Sequence, residues 1–279
     1  MNREGRLIPA LILALIPVMC SAQTGRVFVS LEAFVGQGRA VHLGTIEELA
    51  PIDYAEPLTD IQKLGKPHRL VFKVSGTIKG DRTDRLQCTL SLQRTIHLQY
   101  LRKHSVEIML VAGAERLSGY HTPRVGIEKQ GRRVDGQWYH FRLLEPLEIV
   151  GSDEDREVAR QINLRNDSGR IFTSDLKVIG GREAILERAR AFAGKYPERL
   201  ASVSIRFPKE LAERCGDPNA YCYLTLPVCP AVRKTLMSIR DEPDAFFGRI
   251  QLREAAFYRK EILKDVRNAL AEFAGRERR

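Results

Sequence analysis

Apolar residues recur along this chain in two rhythms, and the rhythm changes near the middle. In Leu86-Gln87-Cys88-Thr89-Leu90-Ser91-Leu92 the alternation is strict, so Leu86, Cys88, Leu90 and Leu92 share one face of a strand. Leu70 to Val74 is apolar on both faces, as a buried strand is, and Gly80-Asp81 begins the turn between the two. Ala40 to Ile46, Val106 to Val111 and Gln137 to Leu144 predict three further strands, the last following a turn at Asp135-Gly136. Ahead of them, Ser30 suits the N-cap of a short helix over Leu31–Val35, which Gly36 and Gly38 end. Pro51, Pro57, Gly65 and Pro67 mark residues 50–67 as a long connection. Five short strands with irregular connections predict a small, closed or partly closed, OB-like β-barrel.

Helical spacing takes over after Val150. Ser152-Asp153-Glu154-Asp155 has the form of a capping box opening a helix through Ile162, and the domain boundary is placed there. Ile171 to Val178 predicts a strand. After Gly180-Gly181, a helix over Arg182–Ala193 places Ile185, Ala189, Phe192 and Ala193 on one face. Val203, Ile205 and Phe207 alternate with polar residues, and Tyr221 to Val228 adds another strand. Leu252, Ala256, Leu263, Val266, Leu270 and Phe273 mark a long terminal helix whose stripe Arg259 interrupts. The expected class is α+β: a barrel over residues 23–150, then an α+β region over 151–279.

Composition adds a compartment. Two arginines precede an unbroken apolar stretch, Leu7 to Met19, and Cys20-Ser21-Ala22 supplies the small residues an export peptidase reads. Residues 1–22 therefore read as a signal peptide cleaved after Ala22, and the protein as periplasmic or secreted. An anchoring helix is the poorer reading, because the stretch spans about 20 Å against a hydrocarbon core of about 30 Å. A lipid anchor on Cys20 is the alternative, with Met19 bulkier than such a signal prefers. No other apolar run reaches the length of a membrane span.

The chain carries a net charge of +10, with excesses of +4 in residues 23–150 and +5 in 151–279. That even spread favours a general attraction to anionic polymers over a dedicated nucleic-acid face. Four cysteines remain after processing: Cys88, Cys215, Cys222 and Cys229. A Cys215–Cys222 or Cys215–Cys229 disulfide would close a small loop around Gly216-Asp217-Pro218-Asn219, whereas Cys222 and Cys229 sit at opposite ends of a strand. Buried free thiols at Cys88 and Cys222 are the competing reading.

Signatures of chemistry are weak. There is no HExxH and no GxSxG, and Asn166-Asp167-Ser168-Gly169 reads as a turn, with a short glycosylation sequon in it. Gly36-Gln37-Gly38 lacks the spacing of a dinucleotide loop, and the six histidines never pair at helical or strand spacing. No metal and no cofactor is implied. One patch stands out. Alternation through Trp138-Tyr139-His140-Phe141-Arg142-Leu143 puts Tyr139, Phe141 and Leu143 on one face and Trp138, His140 and Arg142 on the other. Arg132 and Arg133 lie nearby. Aromatic and guanidinium groups together suit stacking and polyanion contact; the competing reading packs Trp138 against the second region.

Ala40-Val41-His42-Leu43-Gly44-Thr45-Ile46, followed after a variable loop by a strand closing on Ile78-Lys79-Gly80, resembles the netrin-like module over residues 27–150. That family includes the tissue inhibitors of metalloproteinases, and the resemblance implies a five-stranded OB-type barrel. The inhibitors carry a metal-chelating cysteine at the mature N-terminus; here the expected terminus is Gln23, so inhibition does not carry over. The function expected is an exported, non-catalytic binding module whose partner is a protein or an anionic polymer. A hydrolase with a site assembled between the halves is one alternative, and a polyanion binder is the other.

Overall fold

A computed structural model describes residues 26–52, 66–92, 95–114, 131–133, 138–165, 171–207, 222–247 and 255–277. The class is mixed α+β. The leader, the Asn166 turn and Cys215 lie outside the described residues.

Six strands form the larger sheet: β2 (Ala40–Pro51), β3 (Lys66–Lys79), β4 (Arg85–Leu92), β5 (Ile108–Ala114), β6 (Gly131–Arg133) and β7 (Trp138–Leu143). They pair in the order β2-β3-β4-β6-β7-β5, and β5 pairs back onto β2, so the pairing closes on itself as a barrel. Alternation decides what fills it. Phe72, Cys88, Leu90, Leu110 and Phe141 from four strands meet in one apolar cluster. Helix α2 (Ile96–Lys103) adds Leu98, Tyr100 and Leu101, and α3 (Asp153–Arg165) adds Val158, Ala159 and Ile162. The Ser152 cap of α3 is formed, with the Asp155 amide donating to Ser152 Oγ at 3.2 Å.

The second sheet has the order β1-β11-β10, from β1 (Arg26–Val29), β10 (Ser202–Phe207) and β11 (Cys222–Pro227). Strand β1 runs parallel to β11, with Phe28 opposite Leu224. Helices α5 (Pro230–Asp241) and α7 (Ala255–Glu277) cover the sheet with Val232, Leu236, Ile262, Val266 and Phe273; α6 (Pro243–Phe247) joins them. Helices α1 (Leu31–Gln37) and α4 (Arg182–Lys195) lie between the two sheets.

The packing departs from a division at residue 150 in both directions. Strand β1 and helix α1 precede the barrel in sequence but pair and pack with the later sheet, whereas α3 follows the boundary and plugs the barrel core. The strand expected over 171–178 is instead a hairpin, β8 (Ile171–Phe172) and β9 (Val178–Ile179). Its turn is made by the Thr173 hydroxyl, which donates to the Lys177 carbonyl at 3.0 Å and accepts the Lys177 amide at 3.1 Å. Leu176 takes a positive φ of 64° inside it. The strand expected from Val106 begins at Ile108, because the Val106 amide closes the end of α2 on the Leu101 carbonyl at 2.9 Å. Among the described residues, no helix is long and apolar enough to cross a membrane.

Candidate functional site

Helix α1 is buried at every position, and the charges of Glu32 in its first turn and Lys79 at its far end are held away from water. Ser30 caps it, accepting the Ala33 amide at 3.1 Å. Glu32, in the first turn, is 3% exposed; its Oε2 takes the Ser174 amide at 2.8 Å and its Oε1 takes Nε–H of Arg188. Arg188 also ion-pairs with Asp175. Burial opposes the charge on Arg188, yet Glu32 and Asp175 hold its guanidinium above the ordinary value. Burial likewise opposes ionisation of Asp175, which the Thr173 hydroxyl and Arg188 outweigh, so its carboxyl titrates below the usual range.

The other end of α1 is capped from the barrel. Lys79 Nζ donates to the carbonyls of Glu198 at 2.8 Å, Gly36 at 3.3 Å and Val35 at 3.5 Å. An ammonium at a helix C-terminus meets the negative end of the macrodipole. Burial lowers the pKa of Lys79, the Glu198 carboxylate working against that shift and Arg199 with it.

Two of the residues read as a ligand face stand at this seam. Arg142 Nη2 donates to the Val29 carbonyl at 3.0 Å, and its guanidinium lies 4.5 Å from the centroid of the Phe34 ring. Among the described residues β1 pairs only with β11, so Arg142 attaches the barrel to an edge strand of the second sheet. His140, beside it on β7, is 1% exposed. The expectation that His140 and Arg142 form an exposed binding face is therefore corrected: both are buried where the barrel meets β1 and α1. The other face of β7 behaves as its alternation predicts, with Tyr139, Phe141 and Leu143 in the barrel core. Backbone register places Trp138 opposite Arg132, and Arg133 opposite Leu90; the side chains of Arg132, Arg133 and Trp138 lie outside what is described. Cys229 is a buried free thiol at the N-cap of α5, and Cys88 is buried in the barrel core. Cys222 opens β11, its side chain outside the described set.

The exposed chemistry of the barrel lies on the opposite side, on the outer face of β2, β3 and β4. Register places Lys73 directly opposite Arg85, Val71 opposite Gln87 and Arg69 opposite Thr89. Glu47 of β2 pairs with Arg85 Nε at 2.9 Å, and Glu48 pairs with Arg69. The side chains of Arg69 and Arg85 are 50% and 62% exposed. Val71, which points outward between Leu70 and Phe72, is nonetheless 3% exposed. The alternation through Leu86–Leu92 already implied Arg85, Gln87 and Thr89 on this face; Arg69 and Lys73 sat in a run apolar enough to hide theirs. Among the described residues, no group of three or more His, Cys, Asp or Glu side chains is placed to hold a metal.

A third polar cluster fixes the terminal helix. The Arg206 amide on β10 donates to Asp265 Oδ2 at 3.0 Å, and the Arg206 guanidinium pairs with Glu261 and Asp265 on α7. Burial lifts the Asp265 carboxyl above its ordinary range, although Arg206 draws it down. A raised folded pKa means the folded state binds more protons, so this group's contribution to stability is largest in acid and falls as pH rises past the usual carboxylate range. Asp265→Asn keeps an acceptor for the Arg206 amide and removes the buried charge. Urea unfolding should show the variant gaining on the native chain between pH 3.5 and pH 7; a variant that loses ground over that interval would refute the assignment.

No family model, curated protein or solved structure matches the chain.

Proposed function

We propose that the chain is an exported, non-catalytic binding protein built on an OB-type barrel. The observation that carries this reading is the strand order. The first three barrel strands form a meander, a helix (α2) stands between the third and fourth, and the last strand closes beside the fourth. That order supports an OB-type reading, in which β6 is a short extra strand between β4 and β7. Barrels of this type present the face of their second and third strands to oligomeric ligands, and here those strands are β3 and β4, with Arg69, Lys73, Arg85 and Gln87 outward.

The hydrolase alternative needs reactive carboxylates at the junction of the halves. Among the described residues Glu32, Asp175 and Glu107 are gathered there, the first two bound to Arg188 and Glu107 to Arg182. Paired with a guanidinium and, for Glu32, with a backbone amide, they suit anchoring better than proton transfer. Export is supported by residues 1–22, where basic, apolar and small residues follow one another.

Expression of the full chain in an exporting host tests both parts. Intact-mass analysis should find a chain beginning at Gln23; one retaining Met1, or one carrying lipid on Cys20, would contradict the leader assignment. The same material should turn over no chromogenic ester, peptide or glycoside. Sustained turnover abolished by Glu32→Gln would replace the binding reading with the hydrolase.

A further inference from the structure

We infer that His42 is an acid-sensitive latch: when its imidazole takes a proton, the end of the barrel that holds α1 opens between β2 and β3. The latch needs no ligand and stands apart from the binding reading. His42 is 3% exposed. It stands in register with Leu110, and Leu110 with Phe141, both in the barrel core, whereas its neighbours Val41 and Leu43 pack toward α1 and α4. Residues directly opposite on paired strands share a face, so the ring lies on the inner side of the barrel wall. There its Nδ1 and the Thr77 hydroxyl share a hydrogen bond of 3.1 Å, a link from β2 to β3.

The surroundings of the ring decide how it answers to acid. Its inner-face neighbours are Val74 and Thr77 on β3, Leu110 and Ala112 on β5, and Tyr139 and Phe141 on β7. None of these is a carboxylate, and a tyrosine phenol is uncharged in acid. Lys79 sits on the other side of the wall, with its ammonium on the end of α1. Glu107 of β5 is taken up by Ser75 and Arg182. Helix α2, which closes the far end of the barrel, carries His97 and Tyr100. A protonated imidazole has two N–H donors to place. Thr77 accepts one, and among the described residues His42 has no second partner. Burial accordingly holds the imidazole below its ordinary value of 6.5. A base that takes its proton less readily folded than unfolded keeps its full stability above that value and loses it as pH falls below. The ladder is interrupted on both sides of His42, between Val41 and His42 and between Leu43 and Gly44, so fewer regular backbone bonds resist opening there. Lys79 follows Thr77 by two residues, and parting the strands at Thr77 withdraws the cap of α1 with it.

The test compares the native chain with His42→Gln, whose amide can still bond to Thr77 but does not titrate. Amide exchange is measured at about pH 7.5 and about pH 5.5 and expressed as protection relative to the intrinsic rate, and the native imidazoles are titrated by NMR. One unit below the ordinary value, the opened form is favoured by its bound proton about tenfold. Protection over residues 40–46 and 74–79 and at Leu200 should therefore fall about tenfold in the native chain and stay level in the variant. His68, His97 and His140, also buried, are common to both forms, so the difference reports His42. Equal loss in both forms would overturn the latch, as would a loss that begins in β4 or α2 or that leaves Leu200 protected. Should the variant not fold, the native titration decides by itself. A His42 ring that stays neutral until the strands open supports the latch; one that takes its proton near the ordinary value, with protection unchanged, overturns it.

Discussion

Gly44→Ala should unfold the barrel or leave it severely weakened. A Cβ built at Gly44 lies 2.0 Å from the Lys73 carbonyl oxygen and 2.9 Å from its carbon. Both are backbone atoms of β3, the strand paired with β2, so neither can swing aside. The close approach arises where the β2–β3 register shifts, between Leu43 and Gly44. Relief requires parting two paired strands of a closed ring, and the expected loss is about 3 kcal/mol or more. Gly76→Ala is the matched control: its Cβ would meet Leu43 Cδ1 at 3.6 Å, an ordinary contact. Chemical denaturation of both variants checks the claim. Equal stability of the two would mean that β2 and β3 are farther apart than described.

Lys79→Met should be the second most damaging change at a site without catalytic meaning. Methionine keeps most of the apolar stem and removes the ammonium, so the Glu198 carbonyl loses a donor at 2.8 Å and the end of α1 loses its cap. The Gly36 carbonyl keeps one partner, the Leu200 amide at 2.8 Å. A buried acceptor deprived of its donor costs about 1–3 kcal/mol. For a chain of this size that is a fall in Tm of roughly 2–6 °C. Because Lys79 holds the segment after α4 through the Glu198 carbonyl, the loss should also raise amide exchange around Glu198 and Leu200 before it does so in the barrel. Uniform exchange across the molecule would argue that the lysine anchors nothing.

Gly44 and Lys79 were both visible as sequence features, since they belong to the strand motifs that suggested a netrin-like module. Their physical roles were not. Spacing marks a glycine after an apolar strand, but only the crossing of β2 over β3 explains why a side chain has no room there. A lysine at a strand end reads as a solvated terminus until the helix that it caps, more than forty residues earlier, is set against it. Helices α2 and α5 were not anticipated, although Val232, Leu236 and Ile239 share a buried stripe on α5. α2 is short, with His97, Gln99, Arg102 and Lys103 interleaved among its apolar residues, which masks its stripe.

The order of the chain alone settled which positions face inward along β4, β10 and α4, the Ser30 and Ser152 caps, and the mixed α+β class, because each depends on neighbours within a turn or two. On α7 it marked Val266 and Phe273 but missed the buried Ile262 and Ala269, and Leu252 lies outside the described residues. Folding in three dimensions decided the fate of the outward faces. Trp138-Tyr139-His140-Phe141-Arg142 reads the same whether its polar side meets solvent or a second layer, and the Val29 carbonyl that receives Arg142 lies 113 residues away. A contact of that separation leaves no period in the sequence. The buried face on β7 and the exposed one on β3 and β4 were therefore assigned by the arrival of β1 and α1 at the seam.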